Sequence, residues 1–100
     1  MIERERERVA EVVEAAALAT PGVVELLPIV GIHLGSLHVE VGTDDNGVLI
    51  TVRVRVDSSR PQGRIVEALA ARIKAAALVE LPEGTIVRVR VRVHAISGRS

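Results

Sequence analysis

Between Val87 and Val93 the chain alternates valine and arginine without a break, Val-Arg-Val-Arg-Val-Arg-Val. In an extended strand successive side chains point to opposite faces, so this run puts every valine on one side and every arginine on the other. A helix would scatter the same valines around its circumference and leave no apolar stripe to bury. The alternation predicts a half-buried strand from Thr85 to Ala95, with apolar material against its valine side. A second stretch, Val48 to Val56, obeys the same rule. Ile50, Val52, Val54 and Val56 face one way, and Thr51, Arg53, Arg55 and Asp57 face the other. A third, shorter run alternates Leu37, Val39 and Val41 with Ser36, His38 and Glu40. Asp44-Asp45-Asn46-Gly47 joins these last two, and Asn-Gly predicts a tight hairpin because both residues tolerate positive φ.

Two helices supply the apolar cover. The first is read from Ile2 to Ala19, with Ile2, Val9, Val12, Val13, Ala16 and Ala19 at helical spacing. Its Glu/Arg start sets opposite charges at i,i+3 and like charges at i,i+4. Those terms nearly cancel, so the firm helix is expected from Glu7. Thr20-Pro21-Gly22 ends it. The second helix is read from Pro61 to Val79, burying Ile65, Ala68, Leu69, Ile73 and Ala76, with the turn Asp57 to Arg60 supplying its caps. Val23 to Leu27 reads as a brief strand or an extended packing segment, stopped by Pro28, and Ile29 to Gly35 as an irregular loop.

One hundred residues, 48% of them apolar, suffice for one domain and one modest core. The expected ends of that domain, about 1–6 and 97–100, fray. The order is α-β-β-β-α-β. Three to four strands with one apolar face each, and two amphipathic helices, predict an α+β fold. It is a two-layer sandwich in which both helices pack on one face of a mixed sheet. The connection through the second helix is a right-handed crossover.

Chemistry has little to work with. Cysteine, Phe, Trp and Tyr are absent, which removes thiolate sites, disulfides and the aromatic platforms that stack single-stranded nucleic acid. No HExxH-type spacing links His33, His38 and His94, although His38, Glu40 and His94 would approach if their strands adjoined. Ser58 and Ser59 belong to a turn, and Gly31, Gly35 and Gly42 form no phosphate loop. No catalytic constellation, metal site or cofactor is expected. The informative feature is the uncovered sheet face, where Arg53, Arg55, Arg88, Arg90 and Arg92 all point. It reads either as a solvated face that blocks aggregation or as a surface that binds partners or anions. Strand order decides between crowding and relief: beside Val48–Val56 the last strand lines arginine against arginine, whereas beside Leu37–Val41 it meets Glu40.

The charges are also segregated. Residues 1–47 hold nine acidic and three basic side chains, and residues 48–100 hold four acidic and ten basic, so a net charge of zero conceals halves of −6 and +6. Such a dipolar chain reads either as one that self-associates head to tail, screened by salt, or as one whose first helix and sheet neutralise each other within the fold.

Several of these segments resemble a known family. A helix ending in Ala-Thr-Pro-Gly-Val-Val (Ala19 to Val24) is followed by a glycine-bearing segment, an Asn-Gly hairpin with a valine-rich return strand, a long helix and a closing strand of alternating valines. This layout, over residues 8 to 95, resembles the alkaline shock proteins, the envelope stress response family of Gram-positive bacteria. Val56-Asp57-Ser58-Ser59 stands where that family often has an aromatic-glycine pair, and Leu81-Pro82-Glu83-Gly84-Thr85 where it commonly has Thr-Gly-Leu. The resemblance implies a non-catalytic cytoplasmic protein that binds protein partners and either self-assembles into homo-oligomers or is tethered at the inner face of the membrane through an anchor protein rather than a span of its own. The competing reading is a nucleic-acid or other anion-binding module on the arginine face; the zero net charge and missing aromatics argue against nucleic acid.

Overall fold

The computed structural model describes residues 2–29 and 38–97. Its elements are α1 (Glu3–Leu18), β1 (Val23–Leu27), β2 (Val39–Asp44), β3 (Gly47–Asp57), α2 (Gln62–Glu80) and β4 (Val87–Ser97). The expected loop lies mostly outside the described residues, as do Ser36 and Leu37 ahead of β2 and residues 98–100 of the tail. The fold is α+β, with a four-stranded mixed sheet covered on one face by two helices.

β3 is the axis of the sheet. β4 runs parallel to it over the whole span from Val48↔Val87 to Asp57↔Ser97. On the opposite edge β2 takes the first half of β3 in antiparallel register, Val39↔Val52 to Asp44↔Gly47. β1 takes the second half, Val23↔Val56 to Leu27↔Arg53. The sheet is thus three columns wide, with β1 and β2 end to end in one of them. Val48, Ile50, Val52, Val54 and Val56 turn inward and are almost wholly buried, as the period-two pattern requires.

The helices lie antiparallel over this apolar face. Arg8 near the start of α1 reaches Glu80 at the end of α2, Nε to Oε1 3.1 Å. At the other end Gly22, after α1, packs against Ile65 of α2. The buried rows are Val9/Ala10, Val13 and Ala17 on α1, and Ile65, Leu69, Ile73 and Ala77 on α2. Ala19 and Ala68, expected inside, are exposed, Val12 and Ala16 are half-buried, Ala76 is half-buried, and Ile2 is 70% exposed. A single methyl group contributes too little apolar area to fix a helix's rotation. The branched residues Ile65, Leu69 and Ile73 fix it, and Ala77 continues their i,i+4 row.

Three local details also differ from expectation. The helical ladder begins at Glu3 rather than Glu7, with Arg6 N–H donating to the Ile2 carbonyl at 3.0 Å. Glu3 and Glu5 lie in the first turn, where the helix dipole favours negative charge. The hairpin is not a mirror-image turn, since Asp45 and Asn46 do not have positive φ and within the turn only Gly47, at φ 111°, does. Asp44 stabilises the bend by accepting the Asn46 N–H on Oδ1 at 2.7 Å. The Asp57 turn does not cap α2, which has no side-chain cap; Asp57 Oδ1 accepts Ser59 N–H within its own turn instead, at 2.9 Å.

Candidate functional site

The strand registers place all five arginines on the outer face of the sheet. On β3, Leu49, Thr51, Arg53 and Arg55 alternate with the buried valines, and on β4 Arg88, Arg90 and Arg92 do the same. β4 lies beside β3, so Leu49 faces Arg88, Thr51 faces Arg90, and Arg53 stands directly opposite Arg92. Like charges opposite one another in a sheet are destabilising.

The five side chains are not equivalent. Arg55 is paired with Glu25, its cross-strand partner on β1. Arg88 Nη2 reaches Asp44 Oδ2 at 2.7 Å across the hairpin end. That hydrogen bond, with the Asn46 N–H, holds the Asp44 carboxyl below the ordinary aspartate value. Arg53 is held without a carboxylate: Nη1 donates to the Pro28 carbonyl at 3.0 Å and Nη2 lies 3.1 Å from the His94 ring nitrogens. Among the described residues Arg90 and Arg92 have no ion pair or side-chain hydrogen bond, and both are exposed. The flanks of the patch are neutralised from within. Its centre is not.

That centre is a shallow cleft of about 470 Å³. Thr51 forms its floor and is only 6% exposed although it lies on the outer face. Glu40 on β2 and Arg90 on β4 are its two cross-strand neighbours. Arg53, Arg92 and His94 line the adjoining wall. The sequence points to the arginines, and a period-two count also puts Thr51 outward. The same count puts His94 on that face beyond Arg92, and the structure brings it to Arg53. The contribution of the Pro28 carbonyl could not be read there; it arises because β1 ends beside Arg53.

His38 and His94 do not come together, because β3 separates their strands. Among the described residues no three His, Cys, Asp or Glu side chains are grouped as a metal site would need. No described helix is long and apolar enough to cross a membrane.

No family model matches the chain and no curated protein matches it. Solved structures do. A copper form of the MamM CTD is similar over 92% of this chain and 87% of that one, with TM-score 0.55 and 17% identity. A nickel form of a MamM CTD variant is similar over 87% and 94%, with TM-score 0.52 and 17% identity. At this identity the likeness establishes the shared α+β fold.

Proposed function

We propose that this chain is a non-enzymatic scaffolding protein of the envelope stress response type, which self-associates and binds protein partners through its arginine face. The observation that carries the reading is the register of Arg53 against Arg92, with Arg90 alongside and no acidic residue pairing any of the three among the described contacts. A partner's carboxylates would supply the missing counter-charge. Arg55 and Arg88, already paired with Glu25 and Asp44, frame the patch.

Self-association draws on a different part of the molecule. The acidic half of the chain builds α1, β1 and β2, and the basic half builds β3, α2 and β4. The helix layer keeps only a weak trace of the segregation: on α1 Glu3, Glu7 and Glu11 are exposed beside Arg4 and Arg8, and on α2 Arg64, Arg72 and Lys74 are exposed beside Glu67. Zero net charge removes the general repulsion that would keep copies apart. On this reading the protein works in the cytoplasm, at the inner face of the membrane through a partner.

The test is sedimentation velocity at low and high salt, alongside capture of membrane-protein partners by the unaltered chain and by an R53E/R90E/R92E variant. Salt-sensitive oligomers, and partner capture lost only in the variant, are expected. A monomer at every concentration and salt, with capture unchanged in the variant, would overturn the reading. If the variant instead loses salt-dependent binding to generic DNA, the face is a polyanion site.

A further inference from the structure

The side of β4 turned away from β3 pairs with no described strand. Val48 N–H donates to the Ile86 carbonyl at 2.9 Å, which turns the peptide groups of Ile86 towards β3. Strand alternation then turns those of Arg88, Arg90 and Arg92 the same way, and those of Val87, Val89, Val91 and Val93 outward. Four consecutive outward residues present a regular row of donors and acceptors. Edges are commonly blunted by proline, lysine or a bulge. β4 has no proline or lysine, and its register slip comes only after Val93. On the helix side Val89, Val91 and Val93 are half-buried, whereas Ile50, Val52 and Val54 next to them are fully enclosed. An added strand would complete both the hydrogen bonds and the apolar row.

We infer that this edge accepts an extended segment of another protein in which acidic and apolar residues alternate, an inference that rests on the partner-binding reading above. The side-chain order selects the guest. Joining β4 to β4 of a second copy with the helices on one side sets arginine against arginine, and the flipped arrangement sets arginine against valine. The chain's own acidic strands are poor guests, since Glu25 and Asp44 are already engaged by Arg55 and Arg88. A foreign strand with a carboxylate at every second position meets Arg90 and Arg92 in turn, while its apolar residues extend the row of Val89, Val91 and Val93. The arginines that bar the edge to its own kind thus admit an acidic strand.

The experiment is an NMR titration of the full chain with the synthetic peptide Val-Glu-Val-Glu-Val-Glu-Val. A lysine analogue and a proline analogue, Pro-Glu-Pro-Glu-Pro-Glu-Pro, serve as comparisons. Amide shifts confined to β4 and its neighbours are expected with the first peptide. Binding should be weaker by about tenfold or more for the proline analogue, which keeps the charge but lacks the alternate N–H groups that an antiparallel guest would donate to the outward valine carbonyls of β4. The lysine analogue should not bind. Val91→Pro removes an outward N–H and no β3–β4 hydrogen bond, so it should abolish binding in a folded protein. R90E/R92E, which leaves the backbone intact, should abolish it too. Equal binding of the glutamate and proline peptides would overturn edge pairing while leaving the arginine face as the partner site. Loss of the β4 amide signals on concentration without peptide would overturn it in favour of a second copy. No binding of any peptide, with partner capture still lost in R53E/R90E/R92E, would overturn the edge alone.

Discussion

Arg53 on β3 and Arg92 on β4 occupy directly opposed positions on the face away from the helices. Arg53 is steered by the Pro28 carbonyl and His94, neither of which neutralises it as a carboxylate would. Reversing one charge should therefore improve the isolated fold. Arg92→Glu is expected to raise stability by roughly 0.2–1 kcal/mol, the range for an opposite-charge cross-strand pair, while partner binding falls. Urea unfolding midpoints measure the first effect, and an unchanged or lower midpoint would show that the register carries no repulsion.

The two glycines Gly47 and Gly63 should respond to alanine with opposite sign. At Gly47 φ is 111°, and an added Cβ would sit 2.3 Å from the Ile86 carbonyl oxygen. Gly47→Ala should cost about 2–3 kcal/mol, from the left-handed backbone and the displaced β4 entry. Gly63 lies in the first turn of α2 with nothing within 4 Å of the added atom. Gly63→Ala should gain up to about 0.5–1 kcal/mol. Thermal unfolding of both variants checks the pair.

Acid should weaken the fold through two carboxylates. Asp44 is held below its ordinary 3.8 mainly by the Arg88 hydrogen bond. Asp57 is lowered from 3.8 mainly by the Ser59 backbone N–H. Because the folded values are depressed, the stabilisation is present above pH about 4 and is lost as pH falls through the folded values. Asp44→Asn should flatten the decline below pH 4, as should Asp57→Asn. An acid limb identical to that of the unaltered chain would remove both residues from the account.

Helix rotation can be tested by size. Ala77 is fully buried and Ala68 is exposed. Ala77→Leu should cost about 1–3 kcal/mol by overpacking, whereas Ala68→Lys should change stability by no more than about 0.5 kcal/mol. Ile73→Ala, at a site with no exposure, should cost about 2–5 kcal/mol. Denaturant titration of the three variants reads the rotation directly.

The outer and inner faces of β3 and β4 were legible because two-residue alternation leaves one choice of face. The neighbour of β4 was not, since its valines would suit β2 as well as β3. Length decides it: eleven residues of β4 match eleven of β3, whereas β2 has six and shares its edge with β1. The resulting opposition of Arg53 and Arg92 was therefore visible only as one of two alternatives. Helix rotation was misjudged where it rested on Ala19 and Ala68, whose methyl groups weigh little against Val9 and Val13 on α1 and against Ile65, Leu69 and Ile73 on α2. The hairpin position was clear from Asn46-Gly47, but its geometry depended on the Asp44 carboxylate holding the Asn46 amide, a contact that composition does not announce.

The end-to-end seating of β1 and β2 along β3 has a further consequence for how the molecule comes apart. Each of the three outlying strands is hydrogen-bonded to β3 and to no other described strand. None of them can hand its ladder to a neighbour when β3 loosens, so the sheet has a single keel. Amide protons along β3 should exchange last, and their release should coincide with loss of the whole structure rather than of one side.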